Sequence, residues 1–109
     1  MEERREHKRF SVQLSARYLK ENEEEWNECT VTNISRSGIG IIVYVREHIP
    51  VDSSLQLEIL IPTKKEPIKF AGILKWLIEQ KGVKNFIGGV GFAKILDEVE
   101  WKNLIYFMS

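Results

Sequence analysis

A chain of 109 residues, 43% of them hydrophobic, is the size of one compact domain and carries enough apolar side chains for a core without staples. Sixteen basic and sixteen acidic residues cancel, which argues against a surface built for DNA or RNA while leaving room for a local anion site. The lone cysteine, Cys29, excludes an intrachain disulfide, and no run approaches the roughly 18 apolar residues of a membrane span.

The chain opens Met1-Glu2-Glu3-Arg4-Arg5, without the apolar segment of a secretory signal, so a cytoplasmic location is expected. After this basic start, Phe10 to Leu19 reads as a first strand, with Val12, Leu14, Ala16 and Tyr18 alternating against Ser11, Gln13, Ser15 and Arg17. The acidic run Lys20 to Glu25 has no apolar partner and predicts a solvated hairpin connection. Nothing in it makes carboxylates converge as a metal site requires, so no metal is expected.

Trp26 to Ile34 is a second strand rich in β-branched residues, with Cys29 a small core residue within it. The polar stretch Asn33-Ile34-Ser35-Arg36-Ser37-Gly38 breaks the apolar rhythm, which resumes in a third strand, Ile39 to Val45. Leu55, Leu57, Ile59 and Ile61 define a fourth strand that Pro62 stops. Ile68 to Ile78 is a long fifth strand in which Gly72 marks a bulge or bend. Phe86 to Phe92 is a sixth, with three glycines that leave room for another backbone or a ligand, or that serve tight curvature. Asp97 is placed to cap a final helix carrying Val99, Trp101, Leu104, Ile105 and Met108.

Six short strands and one helix, with no strand–helix alternation, predict a mainly β fold: a six-stranded antiparallel split or Greek-key-like barrel with a C-terminal helix. Trp76 and Trp101 are expected in the core or plugging the barrel. Residues 1–109 read as a single domain, with 1–9 as a basic N-terminal arm that is a candidate for mobility.

Asn and Ser hydrogen-bond neighbouring backbone in turns and Gly permits close approach, so Asn33-x-Ser35-x-x-Gly38 suits a tight polar corner. On its own it is compatible with an ordinary hairpin. Upstream, Arg5 and Arg9 stand four residues apart just before the first strand, with His7 a bystander between them. The ordered pair Arg-x-x-x-Arg and Asn-x-Ser-x-x-Gly resembles the signature of the PilZ domain family, and the likeness runs from end to end of the chain.

The resemblance implies a receptor for the bacterial second messenger cyclic di-GMP, with the ligand on the outer surface of the barrel. It assigns Arg5 and Arg9 to guanine and phosphate, Asn33 and Ser35 to a guanine edge or phosphate, and Gly38 to shaping the corner. Arg36 is a candidate further phosphate contact. Arg4 holds the position that in the family influences whether one dinucleotide or a stacked pair is bound. Many family members carry Asp where this chain has Asn33, so the neutral amide here gives up a charge-assisted bond. The chemistry is consistent: guanine shows two acceptors, N7 and O6, to which one planar guanidinium donates at once, or on whose ring it stacks.

Two function classes follow. The first is a receptor that orders its arm on ligand binding and signals to a protein partner, and the alternative is an adaptor of the same fold that binds no nucleotide. An oligonucleotide-binding barrel would need a basic groove interleaved with exposed aromatics. An enzyme is not expected, because no nucleophile–base or paired-cysteine spacing is present.

Overall fold

The alternation folds into β1 (Phe10–Lys20), β2 (Asn27–Ile34), β3 (Gly38–Val43), β4 (Ser54–Ile59), β5 (Ile68–Gln80) and β6 (Asn85–Phe92), followed by α1 (Glu98–Met108). The computed structural model describes residues 8–44 and 49–108. Arg4, Arg5, His7 and Val45 lie outside the described residues.

The strands form a closed antiparallel barrel in the order β1-β2-β3-β6-β5-β4. Hairpin neighbours account for four pairings, and the non-sequential pairs β3 with β6 and β1 with β4 close it in the Greek-key-like manner expected. At the β1–β4 seam Arg17 stands opposite Glu58, with its Nη2 2.7 Å from Oε1, and its guanidinium lies 4.6 Å from the Trp26 ring centre. Glu58 is nearly buried, and this ring-backed partner, whose Nε and Nη2 both donate to Oε1, is what makes a carboxylate tolerable there. The acidic run makes the β1–β2 turn, where Asn22 takes the left-handed conformation and Glu23 N–H donates to the Lys20 carbonyl.

Inward positions carry the period-two apolar set: Ala16 and Tyr18, Cys29 and Val31, Ile39, Ile41 and Val43, Leu55, Leu57 and Ile59. The β1–β2 pairing shifts register between Ser11 and Leu14 while Val12 and Leu14 still face the core, and the inward rhythm itself breaks in β2 and β5. In β2 the inward residues Val31 and Ile34 are three apart, and the pairing with β3 shifts register between Val31 and Asn33. In β5 Leu74 and Leu77 are three apart, with a register shift between Leu74 and Trp76. Each bulge adds one residue, so two consecutive side chains point outward: Thr32 with Asn33, and Lys75 with Trp76.

The β5 irregularity therefore lies just beyond Gly72, the expected site. Gly72 is instead where β5 is shared, paired with Leu55 of β4 on one side and Phe92 of β6 on the other. A Cβ there would lie 2.6 Å from Val90 Cγ1. β5 also runs two residues past Ile78, because Glu79 and Gln80 find partners in Phe86 and Asn85.

Asp97 caps α1 as expected and does so reciprocally: its Oδ1 accepts from Glu100 N–H at 2.8 Å, and Glu100 Oε1 accepts from Asp97 N–H at 2.9 Å. The helix lays Leu104 against the barrel core and Trp101 on Phe10, with ring centres 5.5 Å apart. No helix among the described residues is long and apolar enough to cross a membrane.

Candidate functional site

The corner between β2 and β3 is held from within. Ser35 N–H donates to the Gly38 carbonyl at 2.9 Å, and Ser35 Oγ accepts from Ser37 N–H at 3.2 Å, a serine turn inside the hairpin link. Ile34 and Ile39 are registered opposite each other and fully buried, which anchors both ends of the link in the core. Gly38 is required for closure: a Cβ would lie 2.2 Å from the Val90 carbonyl oxygen.

The corner is also tied to the segment leading into α1. Arg36 Nε donates to the Leu96 carbonyl at 3.0 Å, and Leu96 N–H donates back to the Arg36 carbonyl at 2.9 Å. Phe92 N–H donates to the Ser37 carbonyl at 2.8 Å.

The β2 bulge turns Asn33 onto the outer face, where its amide lies over Gly40; a Cβ on Gly40 would be 2.4 Å from Asn33 Nδ2. Asn33 Oδ1 accepts a short hydrogen bond from Arg9 Nη1, which joins residues 24 apart in sequence and brings the two motifs together. On the far side, Gly40 is registered opposite Gly89, and Gly89 opposite Trp76. The Trp76 indole covers Gly89, with Nε1 2.3 Å from where its Cβ would stand. Four neighbouring strands thus carry Asn33, Gly40, Gly89 and Trp76 in one row, spanning about 14 Å at the usual strand spacing. The result is a shallow glycine-floored surface with a guanidinium and an amide at one end and an indole at the other.

The structure brings Arg9, Asn33 and Gly38 to this surface or its edge. Ser35 is placed differently: it is 1% exposed and its hydroxyl serves the turn. Arg36 braces the corner against Leu96. Trp76 is the residue that sequence reasoning missed, since it was expected in the core and is 43% exposed on the outer face. The signal lay in the spacing of Leu74 and Leu77, which are too far apart for unbroken alternation. Trp101, by contrast, is partly buried against the core. Cys29 is a core thiol, and burial pushes its pKa up to about 12.

A family profile described as PilZ domain matches residues 3–108. Among solved structures, that of the Bacillus subtilis inhibitor of motility MotI/DgrA is similar at a TM-score of 0.74 and 18% identity, over 97% of this chain and 50% of that one. The chain therefore spans about half the length of that protein. The PilZ domain of YcgR from Escherichia coli with c-di-GMP is similar at a TM-score of 0.75 and 14% identity, over 96% of this chain and 89% of that one. No curated protein sequence matches.

Proposed function

The chain belongs to the PilZ domain family, and from that premise we propose that it is a cyclic di-GMP receptor whose ligand lies on the glycine-floored outer face between Arg9–Asn33 and Trp76. PilZ domains bind this dinucleotide as a ligand rather than turning it over. The observation that carries the reading is the Arg9–Asn33 hydrogen bond, because it makes one surface of two motifs that are distant in sequence.

Each group has a task that suits this ligand. Arg9, with Arg5 one motif step earlier, supplies planar guanidinium for a guanine edge or a phosphate. Asn33 offers an amide that both donates and accepts, as a guanine edge requires. Trp76 gives a flat apolar face on which a purine stacks, worth about 1–3 kcal/mol per base. Ser35 and Gly38 act by holding the corner, and Arg36 by fixing it to Leu96. Arg4 tunes whether one dinucleotide or a stacked pair is held. Binding draws the N-terminal arm over the barrel, and a protein partner reads the altered surface.

Titration calorimetry with cyclic di-GMP, run on the wild type and on Arg9→Ala beside a guanine mononucleotide, tests this. Saturable binding is expected for the dinucleotide alone, weakened about 10-fold to 100-fold in the variant. Absence of both heat and a thermal shift in the wild type would leave the fold as a nucleotide-independent adaptor. Amide exchange of the arm with and without saturating ligand tests its ordering, and equal exchange would rule that part out.

A further inference from the structure

The β5 bulge exposes Lys75 together with Trp76, and the lysine is not simply extended into solvent. Its side chain crosses from β5 over β6. Measured from where a Cβ on Gly91 would stand, Lys75 Cδ is 3.8 Å away, Cγ 3.5 Å and Cε 2.9 Å, so the far end of the stem is the part that overlies Gly91. Gly91 is registered opposite Gly38, the residue that completes the Asn33–Gly38 corner. The ammonium is thus carried across the sheet toward the corner, and among the described residues no carboxylate forms an ion pair with it.

A lysine stem draped on glycine covers apolar backbone, which any unbranched chain would do equally well. The charge has a separate consequence. Arg9 stands on the β2 side of the floor and the Lys75 stem reaches over Gly91 from the β5 side, so a ligand resting between them meets a cation on each flank although the chain has no net charge. A compact ammonium suits a phosphate as a point charge, whereas it neither stacks on nor forks to a guanine.

We propose that Lys75 is a second anion contact of the ligand surface, taking one phosphate of the cyclic dinucleotide from the β5 side while the arginine end takes the other. This rests on the cyclic di-GMP reading of the same surface. It makes the spacing of two anionic groups, rather than the guanine alone, part of what the surface selects.

The test compares wild type, Lys75→Met and Lys75→Arg by calorimetry with cyclic di-GMP at low and high salt, with urea denaturation of each protein. Methionine keeps the unbranched cover on Gly91 and removes the charge. The expected result is about tenfold weaker binding by Lys75→Met, a shallower loss of its affinity with salt, retention by Lys75→Arg, and unchanged denaturation midpoints. Wild-type binding matched by Lys75→Met at both salt concentrations would overturn the lysine contact and leave the dinucleotide reading intact. Equal losses in both variants with lowered midpoints would make Lys75 a structural cover only. No binding by the wild type would remove both readings together.

Discussion

Gly40→Ala tests the site without touching a motif residue. The new methyl would stand 2.4 Å from Asn33 Nδ2, 3.0 Å from Cγ and 3.1 Å from Oδ1, so the whole amide must retreat by about 1 Å to reach the 3.4 Å of ordinary contact. Its far end is a flexible side chain, so the amide moves and the backbone stays. A shift of that size takes Oδ1 out of hydrogen-bond range of Arg9 Nη1, since such bonds weaken beyond about 3.2 Å.

The lost bond is half-exposed and water replaces it, while alanine for glycine in a strand lowers unfolded-chain entropy by about 0.4–1 kcal/mol. Net stability should therefore stay within about 1 kcal/mol of wild type. Affinity for cyclic di-GMP should fall about tenfold, equivalent to about 1.4 kcal/mol, because amide and guanidinium are no longer held together before the ligand arrives. Urea denaturation and calorimetry on the same preparation read both quantities. An unchanged affinity would refute the role given to the Arg9–Asn33 pair. A loss of stability beyond about 3 kcal/mol would mean that the strand rather than the side chain had moved.

Gly38→Ala should behave oppositely, since its methyl meets the Val90 carbonyl at 2.2 Å and Gly91 Cα at 3.1 Å, both main chain. A destabilisation of about 2–3 kcal/mol in urea is expected, and a loss below about 0.5 kcal/mol would contradict the close β3–β6 approach. Cys29 gives a pH signature: burial raises its thiol from 9.0 to about 12, so above pH 9 the unfolded chain releases a proton that the folded chain keeps. That contribution to stability is complete below pH 9 and declines as pH rises toward 12. The stability difference between wild type and Cys29→Ala should hold steady below pH 9 and narrow between pH 9 and pH 10.5, within the window those two values set, and a constant difference would refute it.

Much of the barrel could be read from period-two alternation, because one face of each strand must be buried and the other need not be. The capping pair Asp97 and Glu100 was half visible, as the aspartate alone was recognised. What alternation concealed were the bulges in β2 and β5. A run such as Val31-Thr32-Asn33-Ile34 still looks like a strand, yet its inward residues are three apart, and the extra residue is what faces Asn33 outward. The same slip in Leu74-Lys75-Trp76-Leu77 made Trp76 look like core. Ser35 reads as a ligand contact because a hydroxyl sits in a polar motif, and only the folded corner reveals that this hydroxyl also holds the turn. The arginine motif, as a pattern of donors, was legible; its meeting with Asn33 needed the β1–β2 register, in which Phe10 stands opposite Ile34 and Ser11 opposite Asn33.

The row Asn33, Gly40, Gly89 and Trp76 also has a bearing on when the surface comes into being. Its members arrive from β2, β3, β6 and β5, and the β3–β6 pairing at its centre joins segments about half a chain apart. During synthesis no stretch ending before β6 owns that surface, so recognition begins only once the last strand has emerged and the non-local pairing has formed, a slow class of folding event. The dinucleotide would then act on the survival of the whole domain. At a hundredfold excess over its dissociation constant it opposes global unfolding by about 2.7 kcal/mol, lowering the population open to proteases about a hundredfold. The concentration of the messenger would set the lifetime of its receptor as well as its signal.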